Sequence, residues 1–234
     1  EIACRATSVA VTLCLTRRLG ADGYGRVEFA FNIVVWLVLL VREGFELLGA
    51  REVARHPRLV RPLVNHILPL RVLLALVLLT GLVLAGHGTL SHAADRAVLG
   101  LYGLLLVTTA LGLDFVFRGL EQMGLVAVSL VVRTIAYAAG ALLLVHGPER
   151  IVWVPACLAT GEALGIGLVW AVYVRRFGWP RPALGGSRFA RVLLYRGQPV
   201  YLLQVAQAVL GSIDLVIVGL MSRWVDVGLY SAPH

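Results

Sequence analysis

The 234-residue chain has no lysine; all 21 of its basic residues are arginine. That absence excludes a phosphate-loop lysine and any Schiff-base lysine, and with them ATP hydrolysis by a Walker motif. Charge is scarce as well, at 15% of residues, against roughly 25% in soluble domains. Cysteine is limited to Cys4, Cys14 and Cys157. None has the spacing of a metal ligand, and each stands in an apolar setting where cysteine is a small packing residue. The six histidines form no pair at ligand spacing. Neither a metal nor a cofactor is therefore expected. Long polar segments are missing too, which leaves no room for a soluble catalytic domain.

What is present is apolar surface. Hydrophobic residues make up 59% of the chain, and the mean hydropathy is +0.85. They come in blocks of about 20, the length a helix needs to cross a bilayer. A transmembrane barrel would show alternating segments of about 10 residues instead. The expected fold is an all-α, polytopic transmembrane bundle. Its spans are a short first stretch, Ile2–Leu15, then Val27–Gly49, Ile67–Gly86, Val98–Phe117, Leu125–Val145, Ile151–Val174 and Pro199–Met221. The short first stretch, the lack of an initiator methionine and the stop within a loop mark the chain as a piece of a longer one.

The net charge of +8 raises nucleic acid as a partner, but the arginines cluster in short loops beside apolar blocks, as topology determinants do. One set of alternate loops holds Arg51, Arg55, Arg58, Arg61, Arg118, Arg175, Arg176, Arg181, Arg188, Arg191 and Arg196; the other holds Arg17, Arg18, Arg26, Arg96, Arg150 and Arg223. The richer set is assigned to the cytoplasm, and the partners are membrane lipids, not nucleic acid. The basic segment SRFARVLLYRG, residues 187–197, suits a short amphipathic helix on anionic headgroups or an ordinary loop.

Two polar stretches share one design. LTRRLGADGYGRVEFAFN follows the first span and LMSRWVDVGLYSAPH the seventh, with their Gly/Tyr turns about 206 residues apart. Six spans between them preserve orientation, as a parallel duplication of six-helix units would. On that reading 1–174 form a six-helix lobe, 175–196 a basic cytoplasmic linker and 197–234 the first helix of a second lobe, in an intact chain of about twelve helices and somewhat over 400 residues.

Four stretches, LTRRLGADGYGRVEFA, REGFELLGAREVARHP, FRGLEQMGLVAVSLVVRT and SIDLVIVGLMSRWVDVGLYSAP, carry a family likeness. In order and spacing the chain resembles the O-antigen-type polysaccharide flippases of the multidrug/oligosaccharidyl-lipid/polysaccharide (MOP) exporter superfamily. The resemblance covers essentially the whole chain, although Pro233 falls where an eighth helix would start. It implies a V-shaped, two-lobed bundle in a bacterial or archaeal plasma membrane. Such a bundle carries a lipid-linked oligosaccharide, typically on undecaprenyl pyrophosphate, to the outer leaflet by alternating access. Other polysaccharide-assembly proteins are possible partners. Another MOP-type exporter, of lipid II or of drugs, is the nearest alternative. A membrane enzyme of polysaccharide assembly is further off, since no acid pair sits at usable spacing.

Ionisable residues within spans are expensive and face a bundle interior. Arg133 and Glu162 fall near the middle of consecutive antiparallel spans, as cargo or proton-coupling groups or as a structural pair. Arg42, Glu43 and Glu46 stand in the inner half of the second span, where Arg42 and Glu46 share a face. Asp114, Arg118 and Glu121 fall at i, i+4 and i+7, a gate stripe if one helix carries all three. Gln204, Gln207 and Asp214 make a polar stripe on the seventh span, with Asp214 at the family's Ile-Asp position. Gly161 and Gly165 form a small-residue seam toward the fifth span. Arg71 is placed to snorkel, and the tryptophans, Trp170 among them, to anchor span ends.

Overall fold

A computed structural model describes residues 2–90 and 92–181. The seventh span and most of the linker, with Gln204, Gln207, Asp214, Arg188, Arg191 and Arg196, lie outside the described residues. Among the described residues there is no strand. Four helical stretches, Pro57–Gly88, Ala93–Gly119, Met123–Leu144 and Trp153–Phe177, are long and apolar enough to cross a membrane. The fold is the all-α, polytopic bundle that the apolar blocks predict.

The first helix, α1 (Ile2–Arg55), runs through the stretch expected to be a polar loop and is broken only at Gly20, at φ 70° and ψ 173°. A Cβ there would meet nothing within 4 Å, so glycine serves for its backbone freedom, not for space. The chain folds back at this residue. Ser8 and Phe31 would stand about 34 Å apart on one straight helix, yet both line one hollow. The polar residues of the expected loop are used locally. Arg18 donates to the carbonyls of Leu142 and Val145, at 2.7 and 2.8 Å. Arg26 pairs with Asp22 at 3.0 Å and Asp95 at 3.5 Å.

After a 3-10 turn at Pro57–Leu59, α2 (Val60–Thr89) returns toward the Gly20 end. The next expected span is two helices, α3 (Ala93–Ala110) and α4 (Asp114–Gly119), separated at residues 111–113. A break inside an apolar bundle exposes carbonyls that no water satisfies. Side chains from other helices supply the donors: Arg71 binds the Gly112 and Thr109 oxygens at 2.9 and 2.7 Å, and Trp170 Nε1 binds Leu111 O at 2.8 Å. Arg71 is 2% exposed, so it does not snorkel. Its guanidinium and the Trp170 indole hold the broken span together.

The bundle closes with α5 (Met123–Leu144) and α6 (Trp153–Phe177). Their seam uses the small residues as expected: a Cβ on Gly161 would lie 2.8 Å from Arg133 O, and Gly140 faces Cys157 Sγ. Outward faces are apolar, with Leu73, Val77 and Leu84 on α2 and Val128, Ile135 and Leu143 on α5 all exposed, as lipid-facing surfaces are. Inside, one buried cluster holds Val11, Val34, Tyr102 and Leu106 toward the Gly20 end. A second holds Phe45, Leu63, Phe117 and Tyr173 toward the Arg55 end. Arg42, Arg71, Asp114, Arg133 and Glu162 fall where one cluster gives way to the other along the chain.

Candidate functional site: a charged layer between two hollows

Arg133 projects from the middle of α5 and is gripped from both sides. Its Nη2 lies 2.9 Å from Asp114 Oδ2 and 3.2 Å from Oδ1, and its Nη1 lies 3.2 Å from Glu162 Oε2. The three side chains are 17%, 16% and 27% exposed. Gly165 makes the grip possible. A Cβ there would come within 2.3 Å of Arg133 Cγ and 2.6 Å of its Nε. The arginine lies flat on the naked backbone of α6, and its Nε is buried without a hydrogen-bond partner among the described residues.

The sequence pairs Arg133 with Glu162, and the structure brings them together. Asp114 joins them because of the break before it. As the first residue of α4, it starts a new helical direction, and its carboxylate turns to Arg133. The stripe Asp114, Arg118, Glu121 does not form. α4 ends at Gly119 and Glu121 sits exposed at φ 58°, so no single helix carries all three. Arg118 pairs instead with Glu46 at 3.1 Å, and Glu46 also binds Arg42, its predicted partner one turn away. Glu43 lies on α1, but its side chain is outside the described set.

Both clusters open on empty space. A hollow of about 290 Å³ is lined by Arg42, Glu46, Arg71, Asp114, Arg133 and Glu162. A larger one of about 660 Å³ reaches toward the Gly20 end, and Arg133 and Glu162 are in its wall too. The Arg133 layer therefore divides two chambers inside one bundle. The larger volume falls within the ~300–1,000 Å³ typical of ligand sites, and the smaller stands at its lower edge.

The larger hollow contains groups that the span pattern does not single out. Tyr24, Glu28, Tyr102 and Tyr137 line it, with Ser8 and Thr12 from the first limb of α1. Glu28 escapes notice because it stands near the start of an apolar block, where a carboxylate reads as interfacial. The signal available is its spacing: Tyr24, Glu28 and Asn32 recur every fourth residue on one face. Among the described residues, no three His, Cys, Asp or Glu stand close enough to hold a metal ion.

A family model described as "Polysaccharide biosynthesis protein" matches residues 8–234. The chain belongs to that family, the family of the MOP-type flippases. No curated protein and no solved structure gives a match. With its apolar helices, this family member is a multi-pass membrane protein of polysaccharide biosynthesis.

Proposed function

We propose that the protein is a transporter that moves a polyisoprenyl-pyrophosphate-linked oligosaccharide across the plasma membrane of a bacterium or archaeon by alternating access, breaking no covalent bond. The observation that supports this reading most is Arg133, held in mid-span between two carboxylates and facing a hollow on either side. An anionic headgroup entering either chamber competes with Asp114 and Glu162 for the guanidinium, which offers five donors in a rigid fork. As the headgroup draws Arg133 away, the two carboxylates lose the cation that joins α4 to α6. Cargo binding is thereby coupled to the packing of those helices. The Arg55 end, richer in arginine, is assigned to the cytoplasm.

The test is export of surface glycan in a strain lacking its own flippase and complemented with this gene. Arg133→Gln is expected to abolish export at wild-type membrane levels. Normal export by that variant rejects the reading.

A further inference from the structure

Glu28 is a carboxylate on the second limb of α1, facing the larger hollow, with no basic partner among the described residues. Arg26, two residues away, is committed to Asp22 and Asp95. Glu28 is instead surrounded by neutral polar groups. Asn32 Nδ2 donates to its Oε1 at 3.2 Å, and Tyr24 and Thr12 line the same hollow. Tyr102 and Tyr137 stand in the wall of the same hollow as Glu28, and the Tyr102 ring lies against Phe31 at 5.5 Å between centroids. All of these but Asn32 line the hollow of about 660 Å³ that has Arg133 in its wall. A carboxylate among apolar helices is costly unless it faces a bundle interior or cavity, and Glu28 faces this hollow. The wall offers hydroxyls, aromatic faces and two carboxyl groups, Glu28 and Glu162, the second held by Arg133. Acyl chains need none of the polar groups, and a metal ion needs more ligands than the one carboxylate that Arg133 does not engage.

We propose that this hollow is a saccharide subsite. A pyranose ring lies with its C–H face on Tyr137 and donates hydroxyls to Glu28, while the pyrophosphate attached to that sugar reaches Arg133. The proposal rests on the transport reading above and adds to it which part of the cargo each wall holds. Arg133 takes the phosphates common to every such lipid, and the Tyr/Glu28 wall reads the first sugar.

The experiment uses the chain in lipid nanodiscs and two probes: polyisoprenyl pyrophosphate alone, and the same lipid bearing a short hexose oligosaccharide. Losing a hydrogen bond to a charged group is worth about a tenfold change in affinity. Glu28→Gln and Tyr137→Leu are expected to weaken the glycosylated lipid by about that factor and to leave the bare lipid within about twofold. Tyr137→Phe, which keeps the ring, is expected to bind the glycosylated lipid better than Tyr137→Leu, so the result does not hang on one variant's folding. If all three variants bind the glycosylated lipid as the wild type does, or lose both lipids in parallel, the subsite is refuted and the transport reading stands. If the wild type binds neither lipid, both fall.

Discussion

The two ion clusters of the bundle are built from the same groups in opposite proportion. Around Arg133, one guanidinium serves two carboxylates, and all three side chains are largely shielded. Around Glu46, one carboxylate serves two guanidiniums, and Arg42 and Arg118 are 42% and 39% exposed. The first is held by packing as well as by charge, because Gly165 gives it a fitted bed. The second is open to water and salt. Buried and exposed ion pairs differ severalfold in what their loss costs, so the difference predicts a hierarchy.

Arg133→Ala is expected to have the largest effect. It leaves Asp114 and Glu162 facing each other without their cation, and breaking a pair of this burial costs about 3 kcal/mol. Thermal unfolding of the purified protein would show the loss directly. The decisive companion is the neutral triple variant Asp114→Asn, Arg133→Gln, Glu162→Gln, which removes every charge and leaves three amides able to hydrogen-bond one another. Replacing all members of a buried ionic group is often close to neutral for stability. The triple variant is therefore expected to melt near the wild type yet export no glycan. Recovery of export along with stability would mean the cluster is only a helix clamp.

These side chains show how far the sequence alone carries. The depth of Arg133 and Glu162 within antiparallel spans is simple counting, and the structure pairs them. Apolar blocks of about 20 residues announce their helices for the same reason, since lipid exposure allows no other local solution. The break at residues 111–113 is not legible. Its carbonyls are satisfied by Arg71 and Trp170, residues 38 to 59 positions away, and no local pattern encodes such a partner. The end of α4 at Gly119 is equally illegible, and it is why helical spacing wrongly carries the stripe from Asp114 and Arg118 on to Glu121. The turn at Gly20 reads as a loop because polar residues surround it; their partners, Leu142, Val145 and Asp95, are again distant in sequence.

A smaller effect is expected at Gly165. In Gly165→Ala the new methyl overlaps the Arg133 stem, not merely its tip, so the arginine must leave its bed or α6 must shift. Overpacking of this kind costs about 1–3 kcal/mol. Gly167 lies two residues on, where an added Cβ would meet nothing within 4 Å, and Gly167→Ala is the control that should melt like the wild type. Equal melting of both alanine variants would show that the Arg133 cluster is not fixed by packing, and the contrast with the Glu46 cluster would lose its basis.

The smallest effect is expected from Glu46→Gln. Its carboxylate is only 7% exposed as a residue, which by itself argues for a large penalty. The two arginines decide otherwise. Each is more than a third exposed, so water solvates them once Glu46 is neutral, and no buried cation is left stranded. The amide still accepts one hydrogen bond where the carboxylate accepted two. The loss should be below about 1 kcal/mol, as for exposed pairs. It should shrink further in salt, because at about 1 M the screening length is only about 3 Å. Melting wild type and Glu46→Gln across a salt series tests both points. A gap that stays constant with salt would mean that the Glu46 cluster is as dry as the one around Arg133, and the two regions would then differ only in the sign of their excess charge.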